Sequence, residues 1–190
     1  MSLDAKVAAL VEGGDVGGAA TEAIQRLGPE VLGYLHALVR DEVDASDIFS
    51  QFAEDLWKSL PKFRGECSLR TWAYRLAWNA AGRFSRDAYR RRGRRLRSTE
   101  ASRLADKIRG STVLRQEWRS QKVAQLRARL DSEDQTLLIL RLDRQLPWRE
   151  VAQVLATSDD APLDEAALRK RFERIKDKLA RAAREEGLLD

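Results

Sequence analysis

Arginine and aromatic side chains interleave through Phe63-Arg64-Gly65-Glu66-Cys67-Ser68-Leu69-Arg70-Thr71-Trp72-Ala73-Tyr74-Arg75-Leu76-Ala77-Trp78-Asn79, a mixture whose chemistry suits unpaired DNA. Any base can stack on a ring for ~1–3 kcal/mol while guanidinium groups hold the phosphates. At helical spacing Arg70, Tyr74, Trp78 and Ser85 share one face. The two rings on that face either meet bases or cap a core. Trp72, on the apolar stripe, reads as a core residue at the foot of the surface. In the preceding loop, Lys62 to Ser68, Gly65 permits unusual backbone angles. The loop is either an ordinary connection or a receptacle for a base turned out of its stack. The arginines from Arg83 to Arg97 can hold backbone phosphate with no sequence preference.

A second basic group lies near the C-terminus. If Leu168, Phe172, Ile175 and Leu179 bury one face of a helix, Arg169, Lys170, Arg171 and Arg174 are left for a major groove and its flanking phosphates. Enzyme chemistry lacks its ingredients. The one histidine, His36, lies between Leu35 and Leu38 and reads as packed or surface; the one cysteine, Cys67, has no partner in the chain. No Gly-rich phosphate loop follows a strand, and no His, Cys, Asp or Glu cluster has metal-ligand spacing. No catalytic residue, metal or cofactor is expected.

The elements that must position these groups are helices. Val7, Leu10 and Val11 fit one turn, Gly13 to Gly18 breaks the pattern, and Ala20, Ala23, Ile24 and Leu27 resume it, giving two short helices. Gly28-Pro29 punctuates, after which Val31 to Val39 and Ile48 to Leu60 form two further stripes, the second ended by Pro61. Ser68 is placed to cap a helix through Leu69, Ala73, Leu76, Ala77, Ala80 and Phe84. Between Arg90 and Thr112 apolar content thins to a linker with one helical turn at Leu104 to Ile108. Helical spacing returns in Leu114 to Leu142, Val151 to Leu155 and Leu168 to Leu179. No stretch alternates like a strand, so the fold class is all-α: two small bundles, residues 1–95 and 113–190, joined by a basic linker, 96–112.

Charge divides the chain further. Its 190 residues carry a net charge of +5, but Arg64 to Arg97 holds eleven arginines against two acids, and Glu30 to Lys62 seven acids against three bases. The pattern repeats with eight acids and three bases in Asp131 to Asp164, then eight bases and three acids in Glu165 to Arg184. Two acidic-then-basic modules fit a protein that touches a polyanion twice and something basic elsewhere. No apolar run approaches ~18 residues and no leader pattern opens the chain, so a cytoplasmic protein without membrane contact is expected.

The stretch Phe63 to Asn79 resembles the second conserved region of extracytoplasmic-function (ECF) sigma factors of bacterial RNA polymerase, whose pattern is close to F-R-G-x-S-S-L-R-T-W-L-Y-R-I-A-x-N. Asp44-Ala45-Ser46-Asp47-Ile48 and Leu56-Trp57-Lys58-Ser59-Leu60 resemble that family's D-A-E-D-L-V-Q-E-x-F-L-x-L-W-x-x-L segment, and Leu137 to Leu142 with Trp148 to Leu155 its fourth region, a helix-turn-helix. The resemblance implies an alternative sigma factor that catalyses nothing by itself. Its acidic helix, with Asp44, Ser46, Asp47, Ser50, Gln51 and Trp57, would dock on the polymerase β′ clamp helices. Phe63, Arg64, Gly65, Ser68, Arg70, Tyr74, Trp78, Arg83 and Arg86 would engage the minus-ten promoter element, and Arg169, Lys170, Arg171 and Arg174 the minus-thirty-five element, beside the β flap.

Two departures from the family stand out. Ala156 to Leu163 enlarges the turn of the helix-turn-helix by about six residues over the family pattern, and the acidic helix has Ser46, Ser50 and Gln51 where the family has Glu, Gln and Glu. Phosphate on Ser46 or Ser50 would restore charge, so a serine/threonine kinase is a candidate regulator alongside an anti-sigma factor. An autonomous helix-turn-helix regulator working without polymerase is the alternative reading. An adaptor that mimics a sigma domain is a third, and it would not need the arginine cluster.

Overall fold

The computed structural model describes residues 1–39, 41–87, 125–156 and 163–185. Among them the regular elements are helices and tight helical turns, without a strand, so the fold is all-α. The chain divides into two compact units, Met1–Leu114 and Arg115–Asp190. The expected linker 96–112, the helical turn at Leu104 to Ile108, the arginines from Arg90 to Arg97 and most of the enlarged turn, 157–162, lie outside the described residues.

In the N-terminal unit the order is α1 (Leu3–Glu12), α2 (Val16–Val39), α3 (Glu42–Ser59), a 3-10 turn (Leu60–Lys62) and α4 (Leu69–Asp87). Each helix begins at a side chain that accepts from its first turn. Ser2 takes Ala5 N–H at 3.2 Å, Asp15 Gly18 N–H at 2.8 Å, Asp41 Asp44 N–H at 2.8 Å and Ser68 Thr71 N–H at 3.1 Å. Such caps contribute ~1 kcal/mol each. The core is built from Val7 of α1, Ile24, Leu32 and Leu35 of α2, Ile48, Phe49, Phe52 and Leu56 of α3, and Leu69, Ala73 and Ala77 of α4, all buried.

Gly28-Pro29 does not end a helix: α2 is one helix of 24 residues with Pro29 inside it. An interior proline costs ~3 kcal/mol. Here Ala20, Ala23, Ile24, Leu27, Val31, Leu32 and Leu35 are buried on both sides of it, and tertiary burial of one continuous stripe outweighs the local penalty.

In the C-terminal unit, α5 (Ser132–Leu138) runs into a π turn (Ile139–Asp143), followed by α6 (Trp148–Leu155) and α7 (Glu165–Glu185). Asp131 caps α5 and Asp164 caps α7. The π turn closes with Leu146 N–H donating to Leu140 O at 3.0 Å, and Gln145 between them takes φ 56°. Leu137, Leu140, Leu146, Val151, Val154, Leu168, Phe172 and Ile175 form this unit's core.

Candidate nucleic-acid interface

The phase of α4 decides what this helix presents. Leu69, Ala73, Tyr74, Ala77, Ala80 and Ala81 are buried, while Trp72, Arg75, Leu76 and Asn79 are half-buried and Arg83 and Arg86 exposed. The outward face therefore runs through Trp72, Arg75, Leu76, Asn79, Arg83 and Arg86, at spacings of three and four residues. Tyr74 does not belong to it. Its ring is 0% exposed, packs edge-on against Tyr34 at 5.4 Å, and its hydroxyl donates to Glu30 Oε1 at 2.7 Å. The expectation that Tyr74 offers a stacking surface is thereby corrected: a half-buried carboxylate partner on α2 satisfies its hydroxyl and makes this tyrosine a core residue. Trp78 stays half-buried. Trp72, expected in the core, is partly outward and carries Phe63 of the loop on its ring, centroids 5.7 Å apart.

Two of the arginines expected at the minus-ten element hold α4 to its neighbours. Arg70 Nε donates to Glu30 Oε1 at 2.7 Å, and its Nη2 makes a second, shorter contact to the same oxygen. Arg83 pairs with Asp55 of α3, and Gln51 donates to the other oxygen of Asp55 at 2.9 Å. Sequence reasoning missed Glu30 and Asp55 as anchors, and Arg75 and Asn79 as outward groups. The 3–4 spacing from Trp72 is the signal that could have found the last two.

The loop before α4 holds Phe63 half-buried, Arg64 and Gly65 exposed and Ser68 at the helix cap; Gly65 takes φ 71°, the left-handed region that favours glycine. A groove of about 390 Å³ lies between this loop and α1. Cys67 lines it and forms no disulfide.

On α3, Asp47 is exposed and Asp44, Ser46 and Gln51 are half-buried, whereas Ser50 faces the core with 7% of its surface exposed and its hydroxyl donating to Ser46 O at 3.1 Å. Ser50 is corrected on both counts, as a docking residue and as a phosphate acceptor, because its hydroxyl is turned back onto the helix. The Trp57 ring lies against α2 at Gly17, where a Cβ would come within 3.7 Å of it.

In the C-terminal unit α7 buries Leu168, Phe172 and Ile175 and exposes Arg169, Lys170 and Arg174. Arg171 is corrected. Its Nε lies 2.5 Å from Asp134 and Nη1 2.5 Å from Glu133, both in the first turn of α5, and Nη2 lies 3.5 Å from the cap residue Asp131. Burial opposes its charge, but the carboxylates of Glu133 and Asp134 outweigh that and push its pKa up. Arg171 is a strut that fixes α7 on α5, and its donors face carboxylates rather than a groove. Arg169 lies over the Trp148 ring at 5.8 Å and pairs with Glu165 at 2.8 Å, and Trp148 in turn meets Phe172 edge-on at 5.5 Å.

Among the described residues no group of His, Cys, Asp and Glu could hold a metal ion, and no helix is long and apolar enough to cross a membrane. Residues 23–95 match the family model of sigma-70 region 2. A search of curated proteins finds no match. Among solved structures the chain is similar to CnrH in its complex with the cytosolic domain of CnrY, at 21% identity and a TM-score of 0.63, covering 95% of this chain and 97% of that one. That likeness concerns the fold. The match to sigma-70 region 2 thus falls on the segment from α2 to α4 in which the sequence resembles ECF sigma factors, and the described residues share the all-α fold of the solved structure.

Proposed function

We propose that this chain is an alternative sigma factor that binds core RNA polymerase, recognises a two-part promoter and initiates transcription of a specific gene set, with no catalysis of its own. The observation that carries the reading is the region 2 match over residues 23–95, which includes both the acidic helix α3 and the arginine-aromatic helix α4. The edge of α3 around exposed Asp47, with half-buried Asp44 and Gln51 beside it, meets basic clamp residues of β′. Phe63, Arg64 and Gly65 of the loop, with Trp72, Arg75, Asn79 and Arg86 of α4 and the half-buried Trp78, engage the minus-ten strand. Arg169, Lys170 and Arg174 engage the minus-thirty-five element beside the β flap. The bound state of CnrH, with the cytosolic domain of CnrY, supports a protein regulator here as well, of the anti-sigma kind. Of the two serines proposed for phosphorylation, Ser46 alone keeps its place at the edge of the acidic face.

Two small tethered DNA-reading surfaces bind tightly only when something holds them at the right separation, which polymerase would do. The test is co-elution with core polymerase and promoter binding by the chain alone. Stable association with core and weak promoter binding without it are expected. Tight, sequence-specific duplex binding by the isolated chain, with no association with core, would favour the autonomous regulator.

A further inference from the structure

The groove beside the loop has one wall from α1 and one from the loop itself: Asp4, Ala8 and Glu12 on the first side, Phe63, Arg64 and Gly65 on the second. Helix α1 lies outside the segment matched by the region 2 family, which begins at residue 23. It nevertheless reaches the start of α4: Leu69 N–H donates to Asp4 Oδ2 at 3.1 Å, a bond across 65 residues.

The first N–H groups of a helix have no partner within the helix. At α4 Ser68 Oγ serves Thr71 N–H at 3.1 Å, and the Asp4 carboxylate, from another helix, serves Leu69. A carboxylate there is also favoured by the positive end of the helix dipole. The loop is anchored at its other end by Phe63, whose N–H donates to Leu60 O at 3.0 Å and whose ring rests on Trp72. Between the anchors lies exposed Gly65 with its left-handed backbone. Helix α1 is held independently by buried Val7 and by Lys6, 2.9 Å from Glu22 of α2.

We propose that Asp4 is a positioning residue for minus-ten recognition: by accepting from Leu69 N–H it fixes the C-terminal anchor of the loop and makes α1 the second wall of the groove beside it. This rests on the reading that the loop engages the minus-ten strand. Asp4 contacts no DNA in this account; it sets the loop geometry on which base discrimination depends.

The experiment compares the full chain with Asp4→Ala and Asp4→Asn, the second keeping a neutral acceptor for Leu69 N–H. Three quantities are read: affinity for core polymerase, relative transcription from linear promoters varied at each minus-ten position, and amide exchange across residues 62–71. Asp4→Ala should leave core affinity and overall helicity unchanged, speed exchange at Leu69, and lower discrimination at one minus-ten position by about fivefold, the size of a lost cap. Asp4→Asn should recover part of both losses. Wild-type discrimination in Asp4→Ala, or equal loss in both variants, overturns the proposal. If the wild-type chain drives transcription with no minus-ten preference, the reading of the loop fails. Exchange at Leu69 then decides separately whether Asp4 holds the anchor, and unaltered exchange in Asp4→Ala overturns it.

Discussion

The two basic helices, α4 and α7, are tied to their units in different ways. On α4, single carboxylates from neighbouring helices serve the ties: Glu30 of α2 takes both Arg70 and the Tyr74 hydroxyl, and Asp55 of α3 takes Arg83. On α7 the arrangement is inverted, with one cation, Arg171, gathering Asp131, Glu133 and Asp134 from a single helix start. The N-terminal unit spreads its polar anchors through a four-helix core, whereas in the smaller C-terminal unit one guanidinium gathers three carboxylates, beside a separate bidentate pair between Arg127 and Asp143. A count of basic residues on a helix therefore overstates the charge it can offer to a partner, because some of those charges hold the helix in place.

The largest expected effect follows from the shared anchor. Glu30→Ala leaves the Tyr74 hydroxyl, in a fully buried ring, without its acceptor and Arg70 without its carboxylate, so the N-terminal unit should lose about 3 kcal/mol in urea unfolding. Glu30→Gln, which keeps an acceptor, should lose clearly less. Equal losses would mean that charge alone matters at this site.

The second contrast lies within α7. Arg171→Ala should cost about 2 kcal/mol of the C-terminal unit's stability, the range for hydrogen bonds to charged groups. Arg174→Ala, at an exposed position, should change stability by less than about 0.5 kcal/mol. The order reverses for DNA: Arg174→Ala should lower the salt slope of promoter binding by about one, and Arg171→Ala should leave that slope alone while the unit is folded. A slope lowered by Arg171→Ala would return that residue to the groove.

The phase of α4 shows what the sequence makes legible and what it hides. The helix itself, its Ser68 cap and the loop before it follow from local spacing and cap chemistry, and the structure has them where the pattern puts them. Which face is buried does not follow. Bulk apolar residues, Trp72 and Leu76, suggest one core stripe, but the core side is lined by alanines that let α2 and α3 approach, with Tyr74 among them. A tyrosine is buried readily once its hydroxyl has a partner, and that partner, Glu30, lies 44 residues earlier. Arg171 fails for the same reason, its carboxylates being 37 to 40 residues away. Pro29 hides a continuous helix because its local penalty is visible in the sequence while the packing that outweighs it is not. Long-range pairs of this kind carry no local signal.

A smaller effect is expected just after the π turn that follows α5. Gln145 occupies a left-handed conformation that glycine adopts without steric cost, so Gln145→Gly should stabilise the C-terminal unit by about 0.5–1 kcal/mol in thermal unfolding. Loss of stability would mean that the Gln145 side chain contributes more than its backbone strain costs.

The smallest concerns His36 in α2. Burial pushes its pKa down, against an opposing pull from Glu42, so the unfolded chain takes the proton first. Stability should be flat above the ordinary histidine range, about pH 6.5, and decline as pH falls through it towards the depressed folded value. His36→Gln should flatten that decline. A wild-type profile that rises on acidification would contradict the sign.

The sigma-factor reading is tested most directly by transcription by core polymerase from a library of linear duplex promoters, read with and without this chain. It predicts starts that depend on the chain, with preferences at two separated elements: variation in the loop Lys62–Ser68 alters the downstream preference, and alanine at Lys170 and Arg174 weakens the upstream one. Starts that are the same with and without the chain would contradict it.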